Sequence, residues 1–207
     1  MIYHHHPLIF VGIPKNGSSS AHFALWDDEG CDPFYNSRKG HNEHNHNPLR
    51  DEMLFPYEKV CISRDPYTRT ISGFMWWKYQ IYPGHIGRFK SIFGEEPPTL
   101  SEYLKYLKIG YHELSNLNGR WEVHMKPQWW YVMVHGKLGV DRVLRLETIK
   151  DDWNKLRQDY PLVRDIPLEN VTDPDFLVPE LDGECIELIN YLYRIDFEMF
   201  NYKMRQP

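Results

Sequence analysis

Cysteine is scarce: only Cys31, Cys61 and Cys185 stand in 207 residues. An odd number with no C-x-x-C spacing argues against a disulfide framework and against a zinc site. A reducing compartment is the expectation, and Cys61, inside an apolar run, is expected to be a small buried side chain. Long apolar runs are missing too. The run Leu8–Val11 holds four residues, against about 20 needed to span a bilayer. The N-terminus has no basic segment followed by an apolar one, so no secretory signal is expected and the chain is expected to be cytoplasmic. His4–His6 read equally as native residues or as the remnant of a tag. Positive charge is in deficit, with 24 Lys and Arg against 29 Asp and Glu and a net charge of −5. That excludes the strongly basic pattern of non-specific nucleic-acid binders and gives no reason to expect an anionic membrane surface as partner. An anionic ligand would have to be held by a few well-placed groups.

What the chain does have is aromatic mass, 15% of residues, within a globular balance of 42% hydrophobic and 26% charged residues. No repeat and no shift in composition divides it, so a single domain over residues 1–207 is expected. Leu8–Val11 and Lys59–Ser63 read as strands buried on both faces, and Arg142–Leu146 as a third strand. A helix is predicted from about Ser18, with Phe23, Ala24 and Leu25 available for packing. Asp65-Pro66 starts a second helix through Ile71, Phe74, Met75 and Lys78. Thr99 and Glu102 form a capping box before the stripe Leu100, Tyr103, Leu104 and Leu107. Further helices are expected from Pro127 through Trp130 and Val134, after a Thr148 cap, and after an Asp182 cap through Ile186, Ile189 and Tyr193. Strands separated by helices make an α/β fold with a parallel sheet. Residues 31–56, rich in Asn, His, Asp and Pro, read as a surface excursion.

Two segments carry chemistry. The first runs from strand to helix through Gly12-Ile13-Pro14-Lys15-Asn16-Gly17-Ser18-Ser19-Ser20. Gly17 permits close backbone approach, the helix start offers N–H groups and the positive end of the dipole, Lys15 adds a point charge and the serines add hydroxyl donors. It is not a Walker A loop, which places Lys after the second glycine. No Walker B partner for magnesium stands out either. An ordinary βα turn with capping serines fits nearly as well when the segment is taken alone. The second segment is Ser63-Arg64-Asp65-Pro66-Tyr67-Thr68-Arg69, with Ser72 beyond it. Arg64 follows a strand at the end where open α/β sheets bind ligands. Arg64 and Ser72 can converge on one anion; equally, Arg64 can pair with Asp65 or Glu58 and Ser72 can be incidental.

Together the two segments resemble the sulfotransferases that use 3′-phosphoadenosine 5′-phosphosulfate (PAPS), and most closely the carbohydrate, Golgi-type family reduced to its catalytic domain. Ile13–Ser19 resembles their 5′-phosphosulfate loop. Arg64 and Ser72, eight positions apart, resemble their 3′-phosphate motif. His124-Met125-Lys126-Pro127-Gln128 is similar to the family's H-x-x-P-Q segment, and Leu144–Trp153 and Tyr193–Tyr202 are similar to its closing blocks, so the likeness spans residues 8–202. Asn16 stands where the loop usually has Thr or Ser. Luminal members carry a membrane anchor and paired cysteines; neither is seen here, which favours a cytosolic relative.

The resemblance implies a P-loop NTPase-like three-layer fold, a central parallel sheet flanked by helices. It implies PAPS as donor, no metal, and in-line transfer of the sulfuryl group to an acceptor hydroxyl, with a carbohydrate as the acceptor class. Lys15, Asn16, Gly17, Ser18, Ser19 and Ser20 would hold the phosphosulfate, with Lys15 also catalytic, and Arg64 and Ser72 would hold the 3′-phosphate. A general base is needed. His46 is preferred, as it leads into the segment before the second strand; His41 follows, and His44 shares the loop. All three read equally as solvated residues, and His41, His44 and His46 make only a weak metal pattern. Trp76, Trp77, Trp129 and Trp130 are candidates for a sugar platform or for core, and His124 and Gln128 for the acceptor or the adenosine. Two other readings stay open: a P-loop kinase or hydrolase, and a non-catalytic module that binds a nucleotide or glycan.

Overall fold

The structure is a computed structural model that describes residues 2–3, 8–25, 48–49, 56–110, 123–167 and 178–207. In chain order the described elements are β1 (Ile2–Tyr3), β2 (Leu8–Val11), α1 (Ser18–Leu25), β3 (Glu58–Ser63), α2 (Pro66–Trp76), α3 (Ile86–Phe93), α4 (Leu100–Ile109), α5 (Trp129–Val132), β4 (Met133–Val134), β5 (Lys137–Leu138), β6 (Arg142–Arg145), α6 (Ile149–Asp159), α7 (Gly183–Leu192) and α8 (Arg194–Met199). They fall into two compact units, residues 1–64 with 128–171, and residues 65–127 with 172–207.

The first unit is built on a sheet of order β1-β2-β3-β6. β2, β3 and β6 run parallel, with Phe10 opposite Val60 and Ile62 opposite Leu144, and β1 adds an antiparallel edge. β2 and the Val60–Ile62 centre of β3 contain no polar residue, as burial on both faces requires. Leu8, Phe10, Val60, Ile62 and Leu144 pack with Ala21, Ala24 and Leu25 of α1 and Ile149, Trp153 and Leu156 of α6. The alternate residues Ile9, Val11 and Cys61 are equally buried, and burial pushes the Cys61 thiol up to about 12. The expected α/β architecture, a parallel sheet flanked by helices, is the one observed.

Several local expectations shift. Phe23 is 56% exposed, so α1 packs through Ala21, Ala24 and Leu25 instead. The helix expected through Val134 stops at Val132. His135 and Gly136 then take positive φ, 50° and 74°, and close the tight β4–β5 hairpin. β6 ends at Arg145 because Leu146–Thr148 tightens into a 3₁₀ turn. Thr148 makes no side-chain cap; its hydroxyl donates instead to Asp152 Oδ2 at 2.9 Å.

The second unit is helical. Asp65 caps α2 by accepting from the Thr68 N–H at 2.9 Å, with Pro66 in the first position. The capping box opening α4 is complete: Glu102 accepts from the Thr99 N–H, and the Thr99 hydroxyl accepts from the Glu102 N–H. Asp182 caps α7, which ends at Leu192, one residue before the expected Tyr193. After Trp76, α2 widens into a π-helical stretch, Trp77–Ile81. Trp77 is thereby sunk among Phe74, Tyr82, Phe89 and Tyr103, with its ring 4.2 Å from that of Tyr103. Trp77 is a core residue, 1% exposed, and not a platform. Trp77→Ala is expected to cost about 3–5 kcal/mol, read as a lowered urea midpoint at unchanged native helix content; a loss under 1 kcal/mol contradicts this packing.

Candidate functional site

The loop from Gly12 to Gly17 leaves β2 at the carboxyl end of the sheet and turns into α1. Its backbone alternates in hand. Lys15 has φ 67° and Gly17 has φ 74°, while Asn16 between them stays on the ordinary side. Alternation of this kind is found in anion nests; here the Asn16 N–H at its centre donates to the Ile13 carbonyl at 3.4 Å. For lysine the left-handed region costs of order 1–3 kcal/mol, a strain that persists only where surroundings over-determine it. At Gly17 a Cβ would in addition sit 3.0 Å from Leu146 Cδ1. The Gly17 carbonyl accepts the first α1 bond, from the Ala21 N–H at 3.0 Å. Ser18 and Ser19 are half-buried, and Ser20 is buried.

The surroundings that hold this loop are three polar side chains. Asn16 is 1% exposed. Its amide nitrogen donates to the Ile62 carbonyl at 2.7 Å and to Gln128 Oε1 at 2.6 Å. Both partners are acceptors, so the amide orientation is determined. The opposite atom, Oδ1, is buried without a hydrogen-bond partner among the described residues. A Thr or Ser hydroxyl has one hydrogen and could serve only one of the two acceptors. That is a physical reason for asparagine where the resembling motif has a hydroxyl.

Gln128 is fully buried and does more. Its Oε1 accepts from the Arg64 N–H at 2.9 Å, and its Nε2 donates to the Arg64 carbonyl at 2.9 Å. The side-chain amide thus pairs with both backbone groups of Arg64, as a neighbouring strand would, at the point where β3 has run out. Arg64 in turn donates from Nη1 to the Lys15 carbonyl at 2.9 Å. The two segments singled out in the sequence, far apart along the chain, therefore meet inside the first unit. Gln128 is a brace for them; the sequence left it between acceptor and adenosine. Only its place in an H-x-x-P-Q segment marked it, because a buried amide has no sequence periodicity.

The second unit carries Ser72, half-buried on α2, and His124, in the 3₁₀ turn Val123–Met125. The His124 imidazole lies against the Trp76 indole with centroids 3.8 Å apart. Lys126 is buried there, and burial holds its amine below the usual lysine range. Trp129 and Trp130 are half-buried in the first unit. His41, His44 and His46 lie outside the described residues. Among the described residues no cluster of His, Cys, Asp and Glu could hold a metal ion, and no helix is long and apolar enough to cross a membrane.

Gln128→Ala leaves the Arg64 peptide and the Asn16 amide without their buried partner. Each unsatisfied group costs about 1–3 kcal/mol, so a fall in stability of that order or more is expected by thermal unfolding. Gln128→Glu, which keeps the acceptor but loses the donor to the Arg64 carbonyl, is expected to lose stability as well, and an unchanged melting point in both variants contradicts the brace.

A model of the sulfotransferase family matches residues 1–203. No curated protein and no solved structure gives a match.

Proposed function

We propose, from the premise that this chain belongs to the sulfotransferase family, that it transfers the sulfuryl group of PAPS to an acceptor hydroxyl, with a carbohydrate as the acceptor class. The supporting observation is the bond from Arg64 Nη1 to the Lys15 carbonyl, which joins the phosphosulfate-type loop to the arginine of the 3′-phosphate-type segment.

In this reading the loop N–H groups and the hydroxyls of Ser18, Ser19 and Ser20 receive the 5′-phosphosulfate, helped by the positive end of α1. Arg64 and Ser72, by their spacing, take the 3′-phosphate. The acceptor oxygen attacks sulfur in line, the bond from sulfur to the bridging oxygen breaks, and adenosine 3′,5′-bisphosphate leaves. The acceptor proton goes to a histidine, His46 in the preferred assignment and His41 in the next. Lys15 compensates the charge that builds on the bridging oxygen as the bond breaks. As in phosphoryl transfer, most of the acceleration then comes from positioning and charge stabilisation. The strain at Lys15 suits that role, since a rigid loop needs no reorganisation when charge develops.

Transfer of labelled sulfate from PAPS to a panel of glycans, lipids and small alcohols tests the reading. Lys15→Ala and Arg64→Ala are each expected to abolish transfer with the fold intact. If neither weakens binding of PAPS or adenosine 3′,5′-bisphosphate, the donor site is wrongly assigned. His46→Ala is expected to lower turnover by about 10²-fold or more at unchanged donor affinity. Wild-type turnover in that variant moves the base to His41.

A further inference from the structure

We propose that Arg64 is a positioning residue for Lys15, independently of any 3′-phosphate: its guanidinium fixes the Lys15–Asn16 peptide and so sets where the lysine side chain stands. The proposal rests on the donor reading above and gives Arg64 a second role in it. Every group it uses lies in the first unit. Arg64 Nη1 donates to the Lys15 carbonyl at 2.9 Å. The other end of the same peptide, the Asn16 N–H, donates to the Ile13 carbonyl at 3.4 Å, beyond the usual range of about 2.7–3.2 Å. The carbonyl end therefore carries most of the constraint. The arginine is itself held at its root, because the Gln128 amide pairs with both the N–H and the carbonyl of Arg64, each at 2.9 Å. Gln128 Oε1 also accepts from Asn16 Nδ2 at 2.6 Å. Asn16 follows Lys15 along the chain, so the links close a ring. It runs from the Lys15 carbonyl through the Arg64 side chain and backbone to Gln128, then through the Asn16 side chain back to Lys15.

The left-handed Lys15, φ 67°, needs such a ring. Strain at a non-glycine residue in that region and the gain from a charge-assisted hydrogen bond are of the same order. Loss of the one bond from Arg64 is thus enough to let the peptide turn. Its carbonyl, the negative end of a peptide dipole, then no longer faces a cation. The rotamers open to Lys15 follow its φ and ψ, so the place of its ammonium changes with the peptide. A displacement of about 1 Å at a reacting group costs on the order of 10²-fold in rate. Arginine can serve both duties. It has five N–H donors in a planar fork, so a bond to a carbonyl and a contact to a phosphate draw on different hydrogens. Arg64→Lys would keep the charge and lose the fork.

Adenosine 5′-phosphosulfate, which has no 3′-phosphate, separates the two duties. In calorimetry on the whole chain, Arg64→Ala is expected to weaken its binding about tenfold, although there is no 3′-phosphate contact to lose. The variant keeps the backbone groups that Gln128 holds. Arg64→Lys is expected to weaken the compound nearly as much, and it serves as the reading should the alanine variant not fold. In turnover with PAPS, Arg64→Lys is expected to lower kcat about tenfold or more, with the KM for PAPS changed less. Hydrogen exchange at the Asn16 N–H, read without ligand, is expected to speed up in both variants. Wild-type affinity for adenosine 5′-phosphosulfate in Arg64→Ala confines Arg64 to the 3′-phosphate and overturns the positioning role alone. Wild-type affinity and kcat in Arg64→Lys reduce Arg64 to its charge and overturn it as well. Asn16 exchange unchanged in both variants overturns the hold on the peptide. A wild type that binds neither adenosine 5′-phosphosulfate nor adenosine 3′,5′-bisphosphate overturns the donor reading and this role with it.

Discussion

The candidate site depends on one buried amide. Gln128 gives both of its polar atoms to the peptide groups of Arg64, and its oxygen also receives Asn16. Through these bonds the end of β3 and the loop after β2 are held to one geometry, and Arg64 closes the arrangement on the Lys15 carbonyl. Each bond contributes only about a kilocalorie net, but each of its groups is costly to bury unpaired. A network of this kind works as a unit, since loss of one member leaves several groups unsatisfied. The left-handed Lys15 is the backbone conformation that this network can impose and that a lone loop would relax.

Such construction answers the difficulty posed by the charge balance. A chain with net charge −5 has no general positive field to offer an anionic donor such as the one proposed. The positive character is local instead: the start of α1, one lysine, and one arginine that donates to the carbonyl of that lysine. Local dipoles fixed in advance lose nothing to reorganisation when an anion arrives.

The parts of the chain divide by how far their signals travel. The buried strands, the Asp65 and Asp182 caps and the Thr99–Glu102 box were legible because each depends on neighbours within a few residues. The helix expected from Pro127 through Val134 is cut short because Trp129–Val134 suits either periodicity, and His135-Gly136, both at positive φ, close a hairpin instead. Thr148 looked like a cap and was diverted to the Asp152 carboxylate. Trp76 and Trp77, adjacent and alike on paper, went different ways when the π-helical stretch turned Trp77 into the core and left Trp76 against His124.

By itself the sequence determined the α/β class, the loop and arginine segments as candidates, and membership of a family that moves sulfuryl groups. These rest on residue types at fixed short spacings, which one chain displays directly. Only the tertiary structure decided that Lys15 and Arg64 touch, that Asn16 turns inward to serve two carbonyl-type acceptors, and that Gln128 braces both segments. The physical reason is that these are pairings of buried polar groups across distant parts of the chain. A hydrogen-bonding side chain carries no mark of its partners until burial removes water and leaves only the groups packed around it within reach.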